Sequence, residues 1–249
     1  MRRFWKAVTS LMLVGCASVY AQADSITFIG SGEGVDDHLI SASATFEVVG
    51  GNLVITLTNT GPDALVPADI LMGIYFDVDG SPDLTAVSAF LGDTSTVRNP
   101  VSGDGTQGGT GDVGGEWGYV DGISGPDSTS YGIGAAGFGV FGAADRFNTS
   151  SNLFGQTGLQ GMDYGIVSGV GGSANDPTED ATTIDDTVVF TLSGWGTRDL
   201  STISNVWFQY GTSLTEPRIP GEIVPEPATI LLLGLGVAGM AARRMRKAA

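Results

Sequence analysis

Ala44-Thr45-Phe46-Glu47-Val48-Val49-Gly50-Gly51-Asn52-Leu53-Val54-Ile55-Thr56-Leu57-Thr58 is the stretch that decides the fold class. Ala44, Phe46 and Val48 alternate with Thr45 and Glu47, and Leu53, Ile55 and Leu57 alternate with Val54, Thr56 and Thr58. A period of two puts apolar side chains on one face of a pleated strand and polar ones on the other. Gly50-Gly51-Asn52 between the two runs supplies residues that tolerate the left-handed backbone of a tight turn. The stretch therefore predicts a β-hairpin with one face buried, and Thr60-Gly61-Pro62-Asp63 ends it.

The same reading extends in both directions. Ile26 and Phe28 open an earlier strand, residues 70–78 form a third strong strand ending in Asp79-Gly80, and residues 84–91 form another. Residues 187–192 and 204–210 read as a further pair. No helical periodicity of useful length appears outside the two ends. The fold class expected is all-β, with an antiparallel β-sandwich or jelly-roll-like body over residues 24–222. About 200 residues is enough to bury a core.

The middle of this body has a different texture. From residue 103 to residue 172 the chain holds 22 glycines in 70 residues. Residues 103–115 predict a loop. Glu116-Trp117-Gly118-Tyr119-Val120 predicts a strand with Trp117 and Tyr119 on one face. In Tyr131-Gly132-Ile133-Gly134-Ala135 and Phe138-Gly139-Val140 glycine alternates with larger residues, which predicts strands with one bulky and one bare face. A bare face admits a neighbouring sheet, another copy of the chain or a flat polymer.

Charge separates the body from its ends. All 27 acidic residues lie between Asp24 and Glu226, where only Arg98, Arg146, Arg198 and Arg218 oppose them, a formal charge of −23 with no lysine. Nucleic acid and anionic lipid both require a positive surface, so neither is expected as a partner. Cys16 is the single cysteine. The body beyond it has no disulfide, no thiol nucleophile and no thiolate metal ligand.

Both ends read as addresses. Arg2, Arg3 and Lys6 precede an apolar run from residue 7 to 19, and Ala21-Gln22-Ala23 is an A-x-A cleavage site, so residues 1–23 predict a signal peptide. Leu13-Val14-Gly15-Cys16 supplies an alternative, a lipobox with Cys16 lipidated. At the other end Val224-Pro225-Glu226-Pro227-Ala228 is followed by an apolar run to residue 242 and then Arg243-Arg244-Met245-Arg246-Lys247. Proline has no amide donor and disfavours helix in the residue before it, so Pro225-Glu226-Pro227 is expected to be extended and accessible. Residues 228–242 as a helix would span about 22 Å, short of the ~30 Å hydrocarbon layer, a gap that snorkelling of the arginines and local thinning would cover. The basic tip, a stop of four cations, places the body outside the membrane.

Val-Pro-Glu-Pro-Ala-Thr, Leu-Leu-Leu-Gly-Leu-Gly and Arg-Arg-x-Arg-Lys, in that order over residues 224–247, closely resemble the PEP-CTERM sorting domain of bacterial exosortase substrates. The resemblance covers about a tenth of the chain and implies nothing about the fold of the body. It implies export across the inner membrane of a Gram-negative bacterium that makes exopolysaccharide. It also implies transient anchoring by a transmembrane helix in the 223–249 segment, and cutting near Pro225-Glu226-Pro227 by a membrane-embedded exosortase.

Candidate chemistry in the body is sparse. Asp77-Val78-Asp79-Gly80-Ser81-Pro82-Asp83 places alternate carboxylates at a strand end, so Asp77, Asp79 and Asp83 could surround Ca²⁺; the alternative is an acidic β-turn. Glu179, Asp180, Asp185 and Asp186 form a second acidic group. His38 follows Asp36-Asp37, which makes an Asp–His dyad conceivable, but no G-x-S-x-G nucleophile turn accompanies it, and one histidine cannot build a multi-histidine zinc site. A two-carboxylate glycosidase could draw on Glu33, Glu47, Glu116, Glu179, Glu216 or Glu222, and nothing singles out a pair. Trp117, Trp195 and Trp207 could stack on sugars or fill the core. The function expected is a non-enzymatic cell-surface or extracellular matrix protein, possessing no cofactor unless calcium binds. The alternatives are a calcium-assisted exopolysaccharide-binding module and a glycan-acting enzyme.

Overall fold

The computed structural model describes residues 25–98, 111–148, 159, 161–168 and 181–224. The strands in chain order are β1 (Ser25–Glu33), β2 (Leu39–Val49), β3 (Asn52–Asn59), β4 (Leu71–Val78), β5 (Thr85–Leu91), β6 (Val97–Arg98) and β7 (Gly118–Asp121). They continue with β8 (Tyr131–Gly134), β9 (Ile166–Val167), β10 (Thr183–Asp185), β11 (Thr187–Ser193), β12 (Ile203–Tyr210), β13 (Arg218–Pro220) and β14 (Glu222–Ile223). Helical structure among the described residues is confined to 3-10 turns, and no helix there is long and apolar enough to cross a membrane. The expected signal peptide at 1–23 and helix at 228–242 lie outside the described residues.

The opening hairpin forms as its sequence dictates. β2 and β3 pair from Ala42↔Asn59 to Val49↔Asn52, and both turn residues are left-handed, Gly50 at φ 61° and Gly51 at φ 82°. Ala44, Phe46, Leu53, Ile55 and Leu57 are fully buried, while Thr45, Val54, Thr56 and Thr58 on the other face stay half-buried. Around this hairpin the first sheet has the order β14-β1-β2-β3-β11-β5. The second has the order β13-β12-β4-β9-β10-β6, with β8 on β4 and β7 on β8.

The main core lies between these sheets. Phe46 of β2 meets Phe28 of β1 at 5.7 Å between ring centroids and Phe76 of β4, in the opposite sheet, at 5.5 Å. Edge-to-face contacts of this kind add to the area they bury. Trp117 packs on Phe190 at 5.0 Å, which ties the start of β7 to β11. A second, smaller core of Tyr75, Phe141 and Leu159 is separate from this one. The bare face predicted for Gly132 and Gly134 serves it. A Cβ at Gly132 would stand 2.8 Å from the Tyr75 ring, and one at Gly134 would stand 2.8 Å from the Phe141 ring. The chain's own aromatics therefore fill the space that glycine leaves.

Three expectations need correction. The runs at 187–192 and 204–210 both form strands but do not pair. β11 bonds β3 and β5 in the first sheet, and β12 bonds β4 and β13 in the second. The residues between them, with a 3-10 turn at Leu200–Thr202, carry the chain across the sandwich. Phe138-Gly139-Val140 is a turn rather than a strand. Phe138 and Gly139 take φ 51° and 74°, and the Gly137 carbonyl accepts the amides of Val140 and Phe141, both at 2.8 Å. The antiparallel rule also has one exception, because β9 and β10 pair in parallel.

One side of the sandwich is closed by β13, Gly221 and β14. Pro220 pairs with Trp207 in the second sheet, and Ile223 pairs with Phe28 in the first. The crossing comes so close to β1 that a Cβ at Gly30 would lie 2.6 Å from the Pro220 carbonyl oxygen. Only glycine fits there.

Candidate functional site

β14 positions the C-terminal address. Val224 follows it and donates its amide to the Thr27 carbonyl at 2.9 Å, extending the pairs Phe28↔Ile223 and Ile29↔Glu222. β14 is antiparallel to β1, so the chain leaves Val224 toward Ser25, where β1 begins. Ala21 and Ala23, the expected cleavage residues, precede Ser25 by a few positions, and Pro225-Glu226-Pro227 follows Val224 at once. These residues, and the basic stop Arg243, Arg244, Arg246 and Lys247, lie outside the described residues. The strand that carries the address is thin and wet: Ile223 is 54% and Val224 39% exposed. A surface cleft of about 360 Å³ lies beside it, lined by Ile29, Ser31, Ser41, Thr60, Pro220 and Glu222.

The calcium candidates are arranged differently from their spacing. Asp77 turns its carboxylate to the protein, with Oδ1 accepting the Ser130 amide and Oδ2 the Asn205 amide group, each at 2.8 Å. Asp79 and Asp83 are exposed on the following turn. Among the described residues no group of three or more His, Cys, Asp or Glu stands where it could hold a metal ion. In the second acidic group Asp185 pairs with Arg98 and accepts the Thr96 hydroxyl at 3.0 Å, so it fastens β10 to β6. Residues 176–180 of that group lie outside the described residues.

His38 has a carboxylate partner, but not Asp36 or Asp37. Its Nδ1 lies 2.9 Å from Oδ2 of Asp69. Asp69 is only 5% exposed and accepts the Leu65 and Val66 amides on the same oxygen, at 3.0 and 3.2 Å. The pair clamps the β1–β2 connection to the segment before β4. Asp36 and Asp37 are exposed and left-handed, at φ 55° and 61°. Sequence reasoning missed Asp69 because it is 31 residues away and no local pattern links the two.

The tryptophans divide. Trp117 and Trp195 are fully buried. Trp207 on β12 is half-buried, with the Arg218 guanidinium 5.8 Å from its ring centroid, a cation–π arrangement. Arg218 Nε donates to Asp127 at 2.6 Å, and the Trp207 indole donates to Asn205 at 2.9 Å. Asn205 in turn reaches Asp77, so these groups form one cross-brace from β4 to β13. Asp127 and Asn205 within it are left-handed at φ 53° and 50°. Of the remaining carboxylates, Glu33 and Glu222 are exposed, Glu47 is half-buried and Glu116 is buried. Glu216 accepts the Thr212 and Ser213 amides at 2.6 and 2.7 Å, and Glu179 lies outside the described residues.

No curated protein matches the chain, and no solved structure does. Residues 224–247 match the PEP-CTERM protein-sorting motif. That match begins at Val224, whose amide is bonded to the Thr27 carbonyl of the first sheet. The chain carries a PEP-CTERM sorting signal at residues 224–247.

Proposed function

We propose that the chain is an exported, non-enzymatic protein of the cell surface or extracellular matrix, delivered there as cargo of an exosortase. The observation that carries this reading is the motif match at 224–247, joined without a spacer to the edge strand of a folded body. The acidic, lysine-free body suits an aqueous exterior, and the basic tip suits the cytoplasmic side of a bilayer. The non-enzymatic part is supported by the use to which the candidate catalytic groups are put. His38 and Asp69 clamp two loops, Asp77 and Arg218 brace two strands, and Glu216 caps a turn.

Expressing the chain with and without residues 224–249 in an exosortase-containing host tests the sorting step. The full chain is expected to pass through a membrane-bound precursor to the surface or medium. The truncated chain is expected to be exported without the membrane-bound stage. An unchanged distribution of the two forms would sink the proposal.

A further inference from the structure

Val224 belongs to two things at once. It is the first residue of the sorting motif and is bonded to the first sheet, its amide 2.9 Å from the Thr27 carbonyl. Four residue steps separate it from Ala228, where the apolar run opens. At ~3.3–3.6 Å per extended residue they span at most about 14 Å. An enzyme that cuts near Pro225-Glu226-Pro227 must hold several residues on each side of the bond, so its groove would overlap residues 222–224. In an antiparallel ladder bonded and non-bonded pairs alternate. Thr27–Val224 and Ile29–Glu222 are therefore the bonded pairs, and β1 already occupies the backbone groups that one edge of such a groove would need.

We infer that β14 is a latch. Residues 222–224 leave β1 before the sorting segment is processed, and the partner they fit is a processing enzyme with a groove for an extended strand. The inference rests on the sorting reading above. The structure favours easy release. The latch is two residues of strand plus Val224, all exposed, with few apolar contacts to break. Gly221 behind it stays pinned to the second sheet through its amide and the Val206 carbonyl, 2.8 Å apart, so a hinge is built in. Once released, the span from Gly221 to Ala228 is seven steps, about 25 Å at full extension.

A disulfide across the latch tests this. Thr27 and Val224 are directly opposed in a bonded pair, for which Cα atoms stand about 5.5 Å apart, inside the ~4.4–6.8 Å range of disulfides. The only other cysteine is Cys16, in the leader. The full chain carrying Thr27→Cys and Val224→Cys is expressed in the exosortase-containing host, and the precursor and cut forms are followed by mass. Processing is expected to slow at least tenfold when the pair is oxidised, and to recover with a permeable reductant. Each single-cysteine variant should match the unmodified chain. Glu222→Pro removes an amide from the ladder, and this variant should be cut at least as fast as the unmodified chain. Equal processing of the oxidised double variant and the unmodified chain, or slowed processing of Glu222→Pro, would overturn the latch. If the unmodified chain itself stays uncut, the sorting reading fails and the latch with it.

Discussion

Phe46→Ala is expected to destabilise the body by about 3–5 kcal/mol, the usual cost of removing a large buried aromatic. Phe46 has no exposed surface. Its ring joins Phe28 in its own sheet to Phe76 in the opposite one, at 5.7 and 5.5 Å. Alanine would leave a void between the sheets, and the rigid hairpin with its Gly50-Gly51 turn could not collapse to fill it. Domain stabilities are ~5–15 kcal/mol, so this one change removes a large share. Urea unfolding of the two proteins checks it, read as a fall in midpoint at unchanged slope. A change under about 1 kcal/mol would mean that the sheets are not held together there, since buried aromatic truncations cost several times that.

Alkaline pH is expected to unfold the body through its tyrosines. Burial pushes the phenols of Tyr75, Tyr119 and Tyr210 well above their ordinary value. Nearby carboxylates add to the effect, Asp121 at Tyr119 and Asp69 at Tyr210. The unfolded chain releases these protons near pH 10 and the folded one keeps them, so stability is intact below that pH and falls above it. The loss grows with every unit of pH above that point and adds over the three tyrosines, so it removes a large share of a domain's marginal stability. Tyrosinate absorbance and loss of β-sheet circular dichroism should therefore rise together between pH 10 and 12. Phenols that titrate near pH 10 with the sheet signal intact would show that these side chains are not buried.

What the sequence made legible was local. The β2–β3 hairpin could be read because its period of two and its Gly-Gly turn sit within fifteen residues. The partner of a strand is not local information. β11 alternates and β12 does not, yet nothing in either shows that one joins β3 and the other β4. The glycine alternation at Gly132 and Gly134 correctly announced a bare face, but the rings that fill it come from Tyr75 and Phe141, distant or in another segment. The turn at Phe138 depends on a left-handed phenylalanine, a conformation its side chain disfavours and only the surrounding packing imposes. His38 illustrates the same limit: its adjacent acids point to solvent, and its real partner approaches through the fold.

The sorting signal was the easiest site to read because its three elements are contiguous and act by order rather than by folding. What the structure adds is its point of attachment. Val224 is tied to Thr27 beside the start of β1, so β1 begins and β14 ends at one corner of the sandwich.

The most direct test is the C-terminus of the protein recovered from the cell surface or medium, read by intact mass and by its C-terminal peptide. The predicted result is a chain that ends within or beside Pro225-Glu226-Pro227, without the apolar run and without Arg243, Arg244, Arg246 and Lys247. Surface protein that still carries this basic end would contradict the role of residues 224–247 as a processed sorting signal.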